Sequence, residues 1–486
     1  MTLILVMAVL VIAATAAIIV SFTYTLGMYL EGRLAQGQPI RRASDLFFVF
    51  VIPCLNEERV IGATLERLRS IARDKSVVLV IDDGSDDQTA AVVQSRADEN
   101  VLLLRRQLPE ARQGKGAALN AAVRHLVGNP VLEGRPSSDV IVCLVDADGR
   151  LDLDAPDVAG TYFADPRVGG VQVAVRIGNR DDGLLPRLQD IEFVCYTELF
   201  QRCRSRAGFA GLGGNGQFAR LSALQSLGPA PWSPSTLTED LDLGVRLVLS
   251  GWRTHYSTEA EVHQQGLRSI RALVRQRSRW FQGLLQCWKL IPHIARHGAG
   301  RVRLDMLHML LTPILIFAAF LMTLSFFVGP LERIVDSDLS LGSFGVYQIV
   351  AWYLLTFFPV LLFAISYRRI SGVGRLRSLA LGHAFVLYGL LWVAAGTNAI
   401  WRLLAGHKSW IKTDRLDEVD DSKSSATTWG MWEPGRQIYG NWNLLPNPET
   451  TADADTRGEG WHWDMARHSN FDAKANIPGT GSGHRS

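Results

Sequence analysis

Residues 77–87 read VVLVIDDGSDD, a continuous apolar run that ends in acidic residues around one glycine. Four more short apolar runs lie at 47–52, 101–104, 140–145 and 168–175, with helical patterns between them. Such runs are typical of strands that are buried on both faces of a sheet. Their alternation with helices predicts an α/β fold with helices on both faces, in which ligands bind beyond the carboxyl ends of the strands.

The composition excludes several classes of protein. The chain has 486 residues, 48% of them hydrophobic, and a mean hydropathy of +0.10, which is too apolar for an ordinary soluble protein of this length. Its formal net charge is only +3, which argues against a nucleic-acid partner. The five cysteines have no metal-binding spacing, so we expect small buried side chains and neither a disulfide scaffold nor a zinc site.

Four long apolar runs predict membrane-spanning helices, at 3–30 and at about 304–329, 345–367 and 378–401. Roughly 20 apolar residues are enough for a helix to cross a bilayer. Basic residues follow the first run and none precedes it, so the positive-inside rule places the next segment in the cytoplasm. Polar residues in the last run, His383 and Asn398, leave a re-entrant or tilted segment open as the alternative to a plain span.

The domain prediction follows from these runs. We expect an N-terminal transmembrane helix at 1–32, a cytoplasmic α/β domain at 45–265, an amphipathic interfacial helix at 266–300 and about three transmembrane segments at 301–405. The tail at 414–486 is polar without apolar periodicity, which predicts disorder. The sequence thus predicts a multi-pass protein of the cell membrane, in contact with lipids.

Charged residues follow three of the predicted strands. Asp82 and Asp83 begin an acidic turn whose carboxylates repel one another unless they meet donors or a cation, which favours hydrogen bonds to a ribose or base over a purely structural turn. Asp146 and Asp148 follow a buried strand at i and i+2 and can share one Mg²⁺ or Mn²⁺. Lys115 stands between two glycines at a helix start, where it offers a cation to an anionic group, although a surface loop explains it equally well.

Three later motifs have both a functional and a plain explanation. Residues 213–217 read GGNGQ, a flexible backbone with amide side chains that suits close approach of a sugar. Residues 238–240 read TED, which fits an ordinary helix N-terminus but also projects a carboxylate into a cleft, as a general base requires. Residues 276–280 read QRSRW within a basic amphipathic helix; interfacial anchoring explains the helix but not the Gln-x-x-Arg-Trp group.

These motifs, in this order, resemble the membrane-integrated family-2 glycosyltransferases, which include cellulose, hyaluronan, chitin and poly-N-acetylglucosamine synthases. The resemblance covers about residues 45–415. It implies the GT-A fold of nucleotide-diphospho-sugar transferases, a UDP-sugar donor, and Mg²⁺ or Mn²⁺ as the cofactor. Transfer in this family inverts the anomeric centre, so the product would be a β-glycoside.

The resemblance also implies which residues bind the donor. Asp83, with Asp82 beside it, would hold the uridine. Lys115 would bind the diphosphate together with the metal on Asp146 and Asp148.

The remaining motif residues would serve the reaction and the acceptor. Asp240 would be the catalytic base, and Arg279 would lie near the donor diphosphate. Glu239 and Gln276 would lie at the acceptor, and Trp280 would stack on the acceptor sugar.

The sequence leaves two kinds of acceptor open. The QxxRW group favours a growing polysaccharide, yet the resemblance extends to enzymes that add one sugar to diacylglycerol or another lipid. The small number of predicted spans makes a self-contained export channel doubtful and leaves room for an export partner. A rival from another class, a non-catalytic transport or scaffold subunit, is expected to lack motif carboxylates, and here all of them are present.

Overall fold

The computed structural model describes residues 2–34, 45–71, 75–335 and 342–406. The predicted tail at 414–486 lies outside these residues. The described residues form helices and one mixed sheet.

Eight strands form this sheet in the order β3-β2-β1-β4-β7-β6-β8-β5. The strands are β1 (Phe47–Cys54), β2 (Ser76–Asp82), β3 (Val101–Arg105), β4 (Val140–Leu144), β5 (Arg150–Leu151), β6 (Val168–Ile177), β7 (Gln217–Arg220) and β8 (Arg253–Gln264). β1 pairs in parallel with β2 and β4, and β2 with β3, whereas β7 runs antiparallel to β4 and β6. All five predicted strands are present, and β5, β7 and β8 are additional.

The helices of the described residues flank the sheet and continue beyond it. They are α1 (Thr2–Leu34), α2 (Ile61–Ile71), α3 (Thr89–Gln94), α4 (Lys115–Leu126), α5 (Ala155–Phe163), α6 (Leu184–Ile191), α7 (Glu198–Arg206), α8 (Leu221–Ser226), α9 (Glu239–Leu249), α10 (Ile270–Gln286), α11 (Ile291–His297), α12 (Gly300–Leu310), α13 (Thr312–Val335), α14 (Gly342–Ser371) and α15 (Arg375–Leu404). A π-helical turn, Glu192–Thr197, joins α6 to α7.

Each face of the sheet has its own hydrophobic core. Successive side chains of a strand point to opposite faces, so Phe50 and Ile52 join the core of α2, α3 and α5, while Val49 and Val51 join the core of α4, α8 and α9. All four of these β1 side chains are buried. The predicted α/β sheet with helices on both faces is confirmed.

Helices occupy all four predicted membrane runs, and one of these runs is bent. Among the described residues, α15 is long and apolar enough to cross a membrane, and α12 with Thr312–Leu324 of α13 makes a second candidate if the two count as one span. This pair is bent by 58° at Leu311, within the run predicted at 304–329. The last run is one continuous helix, and its two polar side chains have partners: His383 contacts the Tyr353 hydroxyl at 2.9 Å, and Asn398 donates to Ser278 Oγ at 2.9 Å.

The predicted interfacial segment at 266–300 is divided into α10, a short 3₁₀ turn and α11. The apolar face of α10 packs on protein. Leu273 shares a core with Phe363 of α14, and Phe281 meets Phe317 of α13 edge to face. Arg271 and Arg275 lie on the exposed face of α10, whereas Arg277 is buried.

The four cysteine side chains that the structure describes are buried, as expected. They are Cys54, Cys143, Cys203 and Cys287, and the first two lie in the core between the sheet and α2.

Candidate active site

Two loops at the carboxyl ends of β1 and β2 are joined by reciprocal hydrogen bonds. The backbone N–H of Asn56 donates to Ser85 Oγ at 2.9 Å, and the Asp86 N–H donates to Asn56 Oδ1 at 2.8 Å. Asp87 accepts from the Glu58 N–H and from the Thr89 hydroxyl at the start of α3. Much of the acidic turn therefore builds the loop itself, which the carboxylate count alone did not predict.

Asp82 and Asp83 differ in their surroundings. Asp82 is fully buried, and its carboxylate accepts from the Ser85 N–H at 2.9 Å and from Arg105 Nε at 3.2 Å. Asp83 pairs with Arg106. Burial raises the pKa of Asp83, and the Arg106 guanidinium opposes that shift. Both carboxylates thus have partners within the protein, and Asp82 is the more deeply buried of the two.

Lys115 is the first residue of α4, as the GKG motif predicts. Its ammonium group donates to Asp146 Oδ1 at 2.6 Å and to the Gly214 carbonyl at 2.8 Å. Burial alone would lower the pKa of Lys115, but the carboxylates of Asp146, Glu239 and Asp240 raise it above the ordinary value. This lysine is thus a charged group that links three of the predicted motifs.

Glycines allow these motifs to approach closely. A Cβ on Gly214 would lie 2.8 Å from Lys115 Nζ and 3.4 Å from Asp240 Oδ2, so the two charged groups converge on this backbone. A Cβ on Gly116 would lie 3.0 Å from the Ser233 carbonyl oxygen and 3.5 Å from Glu239 Cβ. The GKG and GGNGQ motifs therefore line one cleft together with TED.

Hydrogen bonds of amide side chains hold the DAD turn in place. The Asp146 N–H donates to Asn215 Oδ1 at 3.1 Å. Gln172 donates to the Asn215 carbonyl at 2.8 Å and accepts from the Gly213 N–H at 2.8 Å. Asn215 of the GGNGQ segment, itself held by Gln172, thus positions the acidic turn. Gln172 was missed from the sequence, because a single Gln within an apolar strand gives no motif.

The donor set at the DAD turn fits a hard divalent cation. Asp146 and Asp148 offer carboxylate oxygens at the end of β4, and Asp148 is 8% exposed. Among the described residues, no group of three or more His, Cys, Asp or Glu side chains forms a metal site. Mg²⁺ is usually held by one or two carboxylates, with phosphate and water completing the coordination. The pair matches that arrangement.

Glu239 and Asp240 form the first turn of α9 inside the cleft. Burial and the neighbouring Asp240 raise the pKa of Glu239 to about 7, and the cations of Lys115 and Arg279 oppose this shift. Burial also raises the pKa of Asp240, against the pull of Lys115. A carboxylate whose pKa is raised is a better proton acceptor, which suits proton transfer at a reacting hydroxyl.

The helix α10 is docked directly on the TED turn. A Cβ on Gly283 would lie 2.7 Å from the Thr238 backbone nitrogen, and Gln286 Oε1 accepts from the Leu237 N–H at 2.8 Å. This contact places Arg279 close enough to Glu239 for its charge to act on that carboxylate. The structure therefore brings the QRSRW and TED motifs next to each other.

Trp280 lies on the side of α10 that meets α15. Its ring contacts Phe193 edge to face with centroids 6.2 Å apart, and Trp392 of α15 at 6.4 Å. The guanidinium of Arg277 lies 3.9 Å from the Trp280 ring centroid. Gln276, the first residue of the motif, accepts from Arg277 Nη1 at 2.5 Å.

A buried ion pair next to Trp280 was not predicted from the sequence. Arg277 Nη2 lies 2.7 Å from Glu192 Oε2, and their side chains are 1% and 9% exposed. Removing one partner of such a pair typically costs about 3–5 kcal/mol, because the other charge is left buried. The two residues are 85 positions apart, so no local pattern relates them.

Comparisons with known proteins agree with this geometry. Residues 45–283 match the family described as "Glycosyltransferase like family 2". The chain is similar to the β-monoglucosyldiacylglycerol synthase of Synechocystis sp., with 32% identity over 248 residues that cover 50% of this chain and 49% of that protein. It is also similar to the poly-β-1,6-N-acetyl-D-glucosamine synthase of Staphylococcus aureus, with 30% identity, 48% of this chain and 53% of that protein. The chain thus spans about half the length of these relatives.

A solved structure shares the fold. The mannosyltransferase of Pyrobaculum calidifontis, in complex with GDP-Man and Mn²⁺, superposes with a TM-score of 0.54 at 18% identity and covers 81% of this chain and 99% of its own. This likeness identifies the sheet as GT-A-like. Since the family match runs from the first strand of that sheet into the helix that carries Trp280, the chain belongs, over residues 45–283, to glycosyltransferase family 2.

Proposed function

We propose that this protein transfers a hexose from a UDP-sugar to a lipid acceptor, such as diacylglycerol, with inversion to a β-glycoside. The observation that carries the lipid acceptor is the position of Trp280, which packs on Trp392 of α15, a helix long and apolar enough to cross a membrane. A lipid that remains in the bilayer would reach the cleft from that side. The similarity to β-monoglucosyldiacylglycerol synthases supports this choice over the polysaccharide that the QxxRW group alone favours.

The donor would lie along the carboxyl ends of the central strands. Asp83 would accept hydrogen bonds from the uridine, and Lys115 would neutralise charge on the diphosphate, with Arg279 close by. Asp146 and Asp148 would hold Mg²⁺ or Mn²⁺, which supplies further positive charge to the leaving diphosphate. Lys115 already bonds to Asp146 at 2.6 Å, so the lysine and the metal held by Asp146 and Asp148 would both lie beside the donor diphosphate.

Asp240 would act as the general base. The acceptor hydroxyl oxygen attacks the anomeric carbon, the bond from that carbon to the diphosphate oxygen breaks, and UDP leaves with the bonding electron pair. The hydroxyl proton passes to the Asp240 carboxylate. Glu239, with a pKa of about 7, would lie beside the acceptor as a hydrogen-bonding group. A single displacement of this kind inverts the configuration.

Extension of a β-linked polysaccharide is the second candidate. It is supported by the similarity to the poly-β-1,6-N-acetyl-D-glucosamine synthase and by Trp280 itself, since an aromatic face can hold a sugar that slides. In either case we expect a multi-pass protein of the cell membrane with its catalytic domain in the cytoplasm. This side is the one on which UDP-sugars are available to the donor site.

The test is one incubation of the full chain in lipid bilayers that contain diacylglycerol, with labelled UDP-glucose and Mn²⁺ or Mg²⁺. We expect label in the organic extract, and its loss with EDTA. Asp240→Asn is expected to lower transfer by about 10²-fold or more, the usual contribution of a general base, while UDP-sugar binding is retained. Label in an ethanol precipitate would support the polysaccharide instead. Normal transfer by Asp240→Asn would rule out the base assignment.

A further inference from the structure

Two buried carboxylates of the catalytic domain are each bonded to a tyrosine of a different helix. Tyr367 of α14 donates to Asp190 Oδ2 at 2.7 Å, and Tyr388 of α15 donates to Glu192 Oε2 at 2.5 Å. Asp190 is fully buried and Glu192 is 7% exposed. Residues two apart point about 200° apart around a helix, which allows one short segment to bond two different helices.

The Glu192 carboxylate is the centre of the larger network. Its Oε2 also accepts from Arg277 Nη2 at 2.7 Å, and its Oε1 accepts from Trp392 Nε1 at 3.2 Å. The carboxylate thus joins the π-helical turn to α10 and, through two side chains, to α15. A buried charge that is this fully hydrogen-bonded holds its partners in one arrangement.

Arg277 transmits this arrangement to Trp280. Its guanidinium lies over the Trp280 ring at 3.9 Å from the centroid and 5.7 Å from the Trp392 centroid. A guanidinium over an aromatic face is an attractive and geometrically specific contact. Phe193, the residue after Glu192, contacts the Trp280 ring edge to face. The orientation of Trp280 is therefore set by groups that share one carboxylate.

We propose that Glu192, Arg277 and Tyr388 are positioning residues that fix Trp280 as the platform for the acceptor. The inference rests on the proposed function, because Trp280 is the acceptor contact there. On this proposal, sugar transfer to the acceptor depends on α15 through this network, whereas binding and cleavage of the donor do not. Lys115 bonds to Asp146 and to the Gly214 carbonyl, and Asp148 accepts from the Gln265 N–H after β8, so none of these bonds involves α15.

The second carboxylate–tyrosine pair provides a matched control. Asp190 accepts from Tyr367 and from the Ile177 N–H, and lies 3.6 Å from Arg180. Tyr367→Phe and Tyr388→Phe each remove one buried hydroxyl from a carboxylate. Only the second belongs to the network around Trp280.

The experiment uses the full chain in bilayers with UDP-glucose, Mn²⁺ and diacylglycerol at varied concentration. Two rates are measured, namely sugar transfer to the lipid and UDP release to water without acceptor. We expect Tyr388→Phe to lower transfer at low acceptor concentration about five- to tenfold, the size of one hydrogen bond, with UDP release unchanged. Tyr367→Phe is expected to keep the parent ratio of the two rates. Arg277→Lys, which keeps the charge but loses the planar contact, should change the ratio in the same direction as Tyr388→Phe.

Trp280→Phe completes a double-mutant cycle. If the network acts through Trp280, Tyr388→Phe has little further effect on transfer in the Trp280→Phe background. An effect of equal size in both backgrounds, or an equal fall of both rates in Tyr388→Phe and Tyr367→Phe, would overturn the proposal. If the parent chain labels a polymer and no lipid, the lipid acceptor is wrong. The same ratios, measured on the polymer, then decide the positioning role.

Discussion

Two features of its surroundings disfavour the charged form of Glu239. Burial and the adjacent Asp240 raise its pKa from 4.5 to about 7. Between these two values the folded protein binds more protons than the unfolded chain, so the free energy of unfolding falls as pH rises through this window and levels off above it. The charged form of Glu239 therefore destabilises the fold at neutral and alkaline pH.

Replacing Glu239 by Gln removes this charge and keeps the size of the side chain. We expect Glu239→Gln to unfold at a higher temperature than the parent at pH 8, and the difference to shrink as pH is lowered from 7 to 5. Thermal unfolding in detergent at several pH values measures it. Glu133→Gln, on an exposed residue, is the matched control. A Glu239→Gln advantage that is the same at pH 5 and pH 8 would contradict the raised pKa.

The residue-scale predictions from the sequence were strongest where one residue type has few alternatives. A lysine between two glycines at a helix start, and carboxylates directly after buried strands, are local patterns, and the structure brings Lys115, Asp146, Glu239 and Asp240 into one cleft. The acidic turn was harder to interpret. Asp82 and Asp87 bond to N–H groups and hydroxyls of the loops. Such bonds depend on a neighbouring loop that no local pattern specifies.

At the scale of elements, α10 is the part that joins the two halves of the site. Gly283 packs on Thr238 at the start of α9, and along the same helix Ser278 and Gln282 bond to Asn398 and Arg402 of α15. The helix is thus held by contacts to the start of α9 and to α15 at the same time. A small displacement of α10 changes the distance between Arg279 and the TED turn.

Gly283→Ala tests this docking. Its Cβ would lie 2.6 Å from Thr238 Cγ2 and 2.7 Å from the Thr238 nitrogen, so α10 or the TED turn must move. We expect a loss of transfer of about tenfold or more, since displacement of a positioned group by about 1 Å can cost 10²-fold. Gly389→Ala in α15 is the control, because nothing lies within 4 Å of its Cβ. Transfer that is equal in both variants would show that α10 tolerates the shift.

The elements differ in how well the sequence predicts them. β1, β2 and β4 are buried on both faces and read as continuous apolar runs, whereas β7 is only QFAR and β8 contains polar and charged residues throughout. These two strands are specified by pairing with β4 and β6, which is a long-range property. The bend between α12 and α13 lies two residues before Pro313, a residue that disrupts helices, although the apolar length of the run alone predicted one plain span.

At the scale of the whole molecule, the catalytic domain lies at one end of α14. Tyr367, which bonds to Asp190, is near the carboxyl end of this helix, next to the arginine-rich turn before α15. Tyr347 is 20 residues earlier, about 30 Å along a helix, which is the thickness of the hydrocarbon core. The positive-inside rule predicts that this turn lies in the cytoplasm, and the catalytic domain is then expected on the same side.

Two cysteine variants test this orientation in intact cells. Leu376 is 85% exposed beside the arginine-rich turn, and Tyr347 is 71% exposed at the other end of α14. We expect a membrane-impermeant thiol reagent to label Tyr347→Cys from outside, and Leu376→Cys only after the cells are permeabilised. The parent chain, whose four described cysteines are buried, gives the background. The opposite labelling would place the catalytic domain on the outer side.

The contact of Trp280 with Trp392, and of Glu192 with Tyr388, has a consequence for how such an enzyme can diversify. The residues proposed to bind the nucleotide sugar lie within residues 45–283, whereas part of the proposed acceptor platform is supplied by a helix that begins almost a hundred residues later, at Arg375. On this proposal, substitutions at 388 or 392 would alter what is glycosylated without altering a contact to the donor. Selection for a new acceptor can act on one turn of α15 and leave the inherited chemistry in place.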